Sequence, residues 1–359
     1  MSYTRKDIIE MLSFTKEDDL GRLRDEALSL MGKEVGNLVY YRGIIEFSNI
    51  CRCDCRYCGI RKSNSKLSER YTLERNEIVD TALWCADQGY GSIVLQSGER
   101  VDPAFISFVE SVVAEIKERS RSEKLPKGLG ITLGIGEQSR ETYRRLYEAG
   151  AHRYLLRIET TDPALYRRLH PKNQTLENRI ECLGDLKEVG FQVGTGVMIG
   201  IPGQTLDMLA RDIEFFRDRD IDMIGMGPYI THPHGDMASE GMMEKEALLQ
   251  LSLNMIAATR LVLRDVNIAA TTALQALVPD GRERGLGYGA NVTMPNLTPI
   301  KVRKGYQLYE GKPCLDESGT ACGSCLLNRI RSVGRDVGFN LWGDSPHVNK
   351  RKVLIGNRG

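Results

Sequence analysis

Three of the nine cysteines, Cys51, Cys55 and Cys58, stand in C-x3-C-x2-C spacing within Phe47-Ser-Asn-Ile-Cys51-Arg-Cys53-Asp-Cys55-Arg-Tyr57-Cys58-Gly59. Three thiolates at this spacing can ligate three irons of a cubane and leave the fourth iron open. A closed four-cysteine site suits electron storage, whereas an open coordination position permits chemistry. Zinc would want two separated Cys or Cys/His pairs, and no such partner pair lies nearby. Cys53 also allows a C-x-C-x2-C set, but it is read here as a non-ligand facing away. Cys314, Cys322 and Cys325 form a second tight group, as metal ligands commonly do. Cys85 and Cys182 lie singly in helical patterns and read as small buried apolar residues. An odd cysteine count with no secretion signal argues against a disulfide framework.

Such a loop needs a rigid scaffold behind it. Strand-like stretches are expected at 44–48, 92–96, 130–134, 154–159, 192–199, 223–227, 268–273 and 291–294. Helical patterns with apolar residues at i, i+3, i+4 and i+7 separate them at 73–88, 104–118, 139–149, 176–189, 205–219 and 245–263. Gly89, Gly150 and Gly190 read as helix stops. Eight strands alternating with helices predict an α/β fold, a (β/α)8 TIM-type barrel. An open doubly wound sheet is the runner-up, although its G-x-G-x-x-G turn is missing. The expected organisation is an N-terminal helical extension (1–40), the barrel (41–298) and a cysteine-bearing C-terminal extension (299–359). The cysteine loop follows the first strand, at the rim where barrel enzymes assemble their active sites.

The C-x3-C-x2-C loop resembles that of radical S-adenosylmethionine (SAM) enzymes. The resemblance implies a [4Fe–4S] cluster whose open iron chelates SAM, and a 5′-deoxyadenosyl radical released inside the barrel. Ser97-Gly98-Glu99, ending the second strand, resembles the motif that meets the SAM amino group. Arg157 and Glu159 end the fourth strand, and Arg179 lies in the helix after it. A carboxylate suits ribose hydroxyls and a guanidinium suits the SAM carboxylate. Their bland alternative is a solvated charge at a strand end. Tyr57 resembles the aromatic that packs near adenine, with ordinary loop packing as its alternative.

A narrower resemblance runs over nearly the whole chain. Phe47-Ser-Asn-Ile-Cys51, Val94-Leu-Gln-Ser-Gly-Glu99, Ile201-Pro-Gly-Gln-Thr205, Gly289-Ala-Asn-Val292, Met294-Pro-Asn296 and Tyr306-Gln-Leu-Tyr309 are similar to segments of the HydE family of [FeFe]-hydrogenase maturases. That resemblance implies a small-molecule substrate, a cysteine-bound iron complex bearing carbon monoxide and cyanide. Thr271, Thr272 and Tyr306 are then candidates for the polar wall that holds it. It also implies a low-potential electron donor (ferredoxin or flavodoxin), and HydG and HydF as partners. Cys314, Cys322 and Cys325 resemble an accessory site of some family members, which could hold a second cluster, [2Fe–2S] or [4Fe–4S]. Ile158 stands where the resemblance places a histidine, and an apolar rim residue can donate neither a proton nor a hydrogen bond. The alternatives are a paralogue acting on another small sulfur-containing or amino-acid substrate, or a non-catalytic iron–sulfur carrier. Glu99, Glu159 and Arg179 count against the carrier.

The bulk properties agree with an enzyme of this kind. The 359 residues are 41% hydrophobic with a net charge of +1, enough for a large core and too balanced for a nucleic-acid or membrane-surface footprint. No apolar run approaches a membrane span and the first residues lack a signal-peptide core. The expectation is a cytoplasmic protein with no nucleic-acid and no membrane partner.

Overall fold

The computed structural model describes residues 3–67, 69–316 and 319–356. Two helices come first, Arg5–Ser13 and Glu17–Glu34. A Thr4/Asp7 capping box closes the first, each side chain accepting from the other's backbone amide. Their apolar faces pack on the outer helices Leu206–Asp218 and Lys245–Leu263. The helix Lys245–Leu263 is covered by the barrel on one side and by these helices on the other, which explains apolar residues all round it. Among the described residues it alone is long and apolar enough to cross a membrane, and 72% of its apolar window is buried in the core.

The strands are β1 (Leu38–Ser48), β2 (Ser92–Ser97), β3 (Gly130–Gly134), β4 (Arg153–Leu155), β5 (Gln192–Thr195), β6 (Met198–Ile199), β7 (Met223–Ile224), β8 (Gly227–Pro228), β9 (Asn267–Ile268), β10 (Val292–Thr293) and β11 (Asp336–Val337). Eight run parallel in the order β10-β1-β2-β3-β4-β5-β7-β9 and curl through 268° as a partial (β/α) barrel. Hydrogen bonds span the remaining gap: the Asn291 amide donates to Ile268 O at 2.8 Å and the Ala270 amide to Val292 O at 2.9 Å. β6 pairs with β8 above the main sheet, and β11 pairs with β1 below it. The β1–β2 register slips between Glu46 and Ser48. A bulge there bends the chain just before the cysteine loop.

All eight expected strands and six expected inter-strand helices are present, with shifts that matter. β1 starts at Leu38, so the expected boundary at 40 falls inside it. The expected strand 154–159 ends at Leu155. The expected strand 268–273 stops at Ile268, because Thr271 adopts N-cap geometry and opens the helix Thr272–Leu277. Short helices at Pro163–Leu169 and Gly281–Gly287 were not anticipated. Ile158 is fully buried in the main hydrophobic core, where an apolar side chain belongs. The expectation that it removes a polar group from the rim is corrected accordingly.

The N-terminal end of the barrel is stoppered by residues 342–345. Arg153 donates to Asp344 Oδ1 at 2.6 Å and to Trp342 O at 2.9 Å, Arg42 donates to Gly343 O at 3.1 Å, and Asn267 to Gly343 O at 2.8 Å. Directly above, Arg42, Val94, Thr132, Leu155, Met223 and Asn267 face one another inside the lumen. Side chains two residues further along these strands therefore line the upper lumen.

Candidate active site

The cysteine loop leaves β1 at the C-terminal rim. Asn49, fully buried, shapes its entry: its side-chain amide donates to Glu69 O and Gly305 O, each at 2.9 Å, and its carbonyl accepts from the Tyr71 amide at 2.7 Å. The loop then crosses Gly98, whose amide donates to Ser48 O at 2.9 Å. A Cβ on Gly98 would lie 2.4 Å from Ile50 O and 2.7 Å from Cys51 Cβ, so only glycine lets the loop pass. Ser97 turns inward and donates to Gly98 O at 2.7 Å.

Cys51 Sγ accepts from the backbone amides of Cys53 and Glu99, both at 3.4 Å. The Cys53 thiol and these amides draw the Cys51 thiol down to about 7 despite its burial. Burial pushes the Cys58 thiol up to about 12, with Cys51 adding to it. Burial, then Cys58 and Cys51, hold the Cys55 thiol well above its ordinary value. The three sulfurs thus lie within electrostatic reach of one another. Cys53 Sγ donates to Glu99 Oε1 at 3.2 Å and also lies against the Cys51 thiol, so, against expectation, it does not face away from the other sulfurs. This donor set fits a [4Fe–4S] cluster: thiols only, amides aimed at one sulfur, and protons that a coordinated metal removes.

Around the loop stand the residues expected to meet SAM. Glu99 accepts from Arg52 at 2.8 Å and from the Glu137 amide at 2.9 Å. Arg157 forks onto Glu159, Nε to Oε1 and Nη2 to Oε2, both 2.9 Å. Glu159 has a left-handed backbone, φ 63°, uncommon for a residue with a side chain and concentrated at functional sites. Arg179 donates to Glu137 Oε1 at 2.6 Å and to the Arg157 carbonyl. Tyr57 packs against Leu165, Leu169, Met198 and Tyr229, edge-on to His170 at 5.8 Å. Burial, then the Cys55, Glu159 and Cys58 charges, push its phenol far up. Cys55 in turn senses Arg179 and Glu99. All these residues share one site.

The substrate candidates line the lumen beside it. Tyr306 is buried, its hydroxyl accepts from Gln96 Nε2 at 3.3 Å, and its phenol is shifted by Glu46 and Cys58 as well as by burial. Lys312 donates to Glu46 Oε1 at 2.5 Å and to Tyr306 O at 2.8 Å, both charges being buried. Thr271 Oγ1 is buried and has no hydrogen-bond partner among the described residues. Thr272 Oγ1 accepts from Arg282 at 3.3 Å. Residues 305–312 form a strap across the mouth: Gly305 O takes the Asn49 side chain, Leu308 O takes the Gly59 amide at 3.0 Å, and Lys312 is pinned to Glu46. Cys314 follows the strap, half-buried with φ 62°, and Cys325 is exposed. The Cys322 side chain lies outside the described residues.

Gln174 joins the site by donating to Glu99 Oε2 at 3.4 Å and accepting from Cys55 Sγ at 3.5 Å; like Glu46, Gln96, Glu137, Arg282 and Lys312, it is not among the residues the sequence singles out. Two carried a usable signal: Glu46 and Gln96 lie on the lumen face of strands already expected, in register with Arg42 and Val94. Glu137 and Gln174 sit in loops, and Arg282 and Lys312 reach the lumen only through tertiary folding.

Comparison with known proteins follows the same lines. The Radical SAM superfamily model matches residues 45–216. The chain is 44% identical over 350 residues to the [FeFe] hydrogenase maturase subunit HydE of Thermotoga maritima, covering 96% of this chain and 95% of that protein. It is 27% identical to 3-methylornithine synthase of Methanosarcina acetivorans, covering 85% of this chain and 82% of that protein. Among solved structures, methylornithine synthase (PylB) superposes with a TM-score of 0.78 at 23% identity, covering 95% of both chains, which shows the shared fold. A three-thiol loop at the mouth of a parallel barrel, with this identity along its length, makes the chain a radical SAM enzyme of the HydE family.

Proposed function

We propose that this enzyme is an [FeFe]-hydrogenase maturase that acts on a cysteine-bound iron complex in its barrel lumen. The carrying observation is the adjacency of the cysteine loop and a polar lumen: the strap that takes the Gly59 amide beside Cys58 also carries Tyr306, which accepts from Gln96 at its hydroxyl and, at its carbonyl, from the Lys312 paired with Glu46. Cys51, Cys55 and Cys58 would hold the [4Fe–4S] cluster, which supplies the electron that cleaves SAM to a 5′-deoxyadenosyl radical. Glu99 would take the SAM amino group, while Arg157, Glu159 and Arg179 would orient its carboxylate and ribose. Tyr57 would cover the adenine. Thr271, Thr272 and Tyr306 would hold the substrate, and the strap would keep water from the radical. Ferredoxin or flavodoxin would deliver the electron, and HydG and HydF would supply and receive the iron complex. Cys314, Cys322 and Cys325 would carry a second [2Fe–2S] or [4Fe–4S] centre with no part in SAM cleavage.

The test replaces HydE with this protein in an in vitro maturation mixture containing HydG and HydF. Hydrogen evolution by the matured hydrogenase is expected. Vigorous SAM cleavage with no hydrogenase activity would overturn the maturase reading and leave a family paralogue.

A further inference from the structure

The cysteine loop has an outer side as well as the side toward the lumen. Cys51 is taken by the Glu99 amide at the end of β2, and Gly59, next to Cys58, by Leu308 of the strap. Cys55 has a different neighbour, Gln174, whose Oε1 lies 3.5 Å from its Sγ. Gln174 is buried, and it forms part of the wall of a groove of about 310 Å³ between the helices Pro163–Leu169 and Leu176–Val189. A single side chain therefore joins that groove to a cluster sulfur. Arg167 and Lys172 stand exposed in the groove wall, with Glu177 the one acid there among the described residues. Lys62, tied to the cysteine loop by its amide bond to Cys53 O at 2.8 Å, is exposed as well. These three cations have no ion-pair partner among the described residues, whereas the neighbouring Arg52 and Arg56 are paired with Glu99 and Glu240. Asp54, the acid within the loop, accepts from the Ser63 amide at 2.6 Å.

The chain as a whole carries a net charge of only +1, so this is a local patch and not a general basicity. Unpaired exposed cations of one sign set up a positive potential that steers an acidic partner to the spot. The groove also asks for more than a free anion. His170 stands in its wall, and Nδ1 donates to Tyr166 O at 3.0 Å, which makes Nε2 an acceptor; that atom has no partner among the described residues. An acidic stretch of protein brings carboxylates for the cations and an N–H for the histidine, and a small anion brings only the first. Electron transfer falls off steeply with distance, and here the distance from surface to sulfur is one glutamine.

We propose that the groove beside Gln174, bordered by Arg167, Lys172 and Lys62, is the docking face for an acidic one-electron carrier protein. This rests on the reading above for the cluster and for the need of a carrier, and deepens it by giving the carrier a place. One electron leaves the reduced centre of the carrier and takes the cluster from [4Fe–4S]²⁺ to [4Fe–4S]⁺; no bond is made and no proton moves in that step. The carrier thus approaches from outside the barrel, while SAM and substrate occupy the lumen.

The test titrates the reconstituted holoenzyme anaerobically with an acidic [4Fe–4S] ferredoxin and reads binding by calorimetry at low and high salt. Wild type is expected to bind and to lose affinity as salt rises, because exposed charges are screened within about 8 Å at physiological ionic strength. Arg167→Glu with Lys172→Glu should raise Kd about 10-fold and flatten the salt dependence. Lys62→Glu, a single change on a different segment, should raise Kd about 3-fold and guards against a folding artefact in the double variant. Lys6→Glu with Lys16→Glu makes the same change of charge at the exposed N-terminal helices and should leave Kd within about 2-fold of wild type. With reduced ferredoxin as donor, the groove variants should show a raised KM for ferredoxin and nearly the wild-type kcat, while SAM cleavage driven by dithionite stays as in wild type. Groove variants that bind ferredoxin as wild type does, or a control pair that weakens it equally, overturn the docking face. So does a loss of HydG binding in the groove variants with ferredoxin binding intact. A maturation mixture that evolves no hydrogen while the groove variants still differ from wild type would strike the maturase reading and leave the docking face standing. Hydrogen evolution with no such difference would do the reverse.

Discussion

The two ends of the barrel handle buried charge in opposite ways. At the base, the stopper of residues 342–345 meets the strands group for group: Arg153 has Asp344 and three further acceptors, Arg42 has the Gly343 carbonyl, and His152 has Asp344. Single atoms there still lack partners, such as Arg42 Nε and His152 Nδ1, but each residue keeps a strong bond to the stopper. At the mouth, among the described residues, Thr271 Oγ1 has no hydrogen-bond partner and the Arg282 side chain has a long contact to a threonine alone. Glu159 adds a strained backbone, which the Arg157 fork and the Val197 register hold in place. The base is built to close on itself. The mouth is built to be completed by something else.

The comparison can be broken first at the cysteines. Cys51→Ala, Cys55→Ala or Cys58→Ala should abolish the EPR signal of the reduced cluster while leaving the thermal melt of the apo chain close to wild type. Cys53→Ala should keep the signal, since the C-x3-C-x2-C set leaves its thiol to Glu99 and to a hydrogen bond with Cys51. A silent Cys53 variant beside a normal Cys51 variant would reverse the ligand assignment.

The base should show the converse behaviour. Arg153→Met takes the guanidinium from Asp344, leaving it the His152 contact, and empties a fully buried site, so the folding free energy should fall by about 3 to 5 kcal/mol. Denaturant melts give that number directly. SAM cleavage per folded molecule, at a temperature well below the melt, should hardly change. A catalytic loss equal to the stability loss would mean that the two ends are not separable.

The smallest effect concerns pH. His347 bridges Asp265 at 2.9 Å and Asp220 at 2.5 Å just beyond the stopper, and these bonds, Asp265 first, raise its pKa against its burial. A raised histidine contributes its stability fully below its unfolded value of about 6.5 and loses it as pH rises through the folded value. His347→Gln should remove that slope above about pH 6.5 and cost on the order of 1 kcal/mol or less at pH 6, since the group is partly solvated. An identical pH profile in wild type and variant would show that the bridge carries no net stability.

What could be read from sequence was whatever is written locally. The cysteine loop is a spacing, and β2 or the helix Leu176–Val189 is a period, so both were found with their boundaries nearly right. Thr271 was mistaken for a strand residue because its type favours strands and helix caps alike, and only the chain beyond it decides. Ile158 was read as a rim residue because it stands between Arg157 and Glu159. The strand ends at Leu155, the chain beyond it turns at Glu159, and Ile158 packs into the core. The Arg179–Glu137, Lys312–Glu46 and Arg153–Asp344 pairs join residues 42, 266 and 191 positions apart. No local pattern announces such partners.

The strap and the stopper have a consequence for the order in which the molecule is made. Residues 305–312 and 342–345 leave the ribosome after every barrel strand, β1 to β10, has emerged. Until then Asn49 lacks the Gly305 carbonyl and the Gly59 amide lacks that of Leu308, the two tethers that flank the cysteine loop on either side. The cysteines are therefore at their most accessible while the chain is still unfinished, and iron–sulfur loading has its clearest path during that interval. Chains arrested before residue 305 should take up cluster faster than the full-length apoprotein and hold it less well.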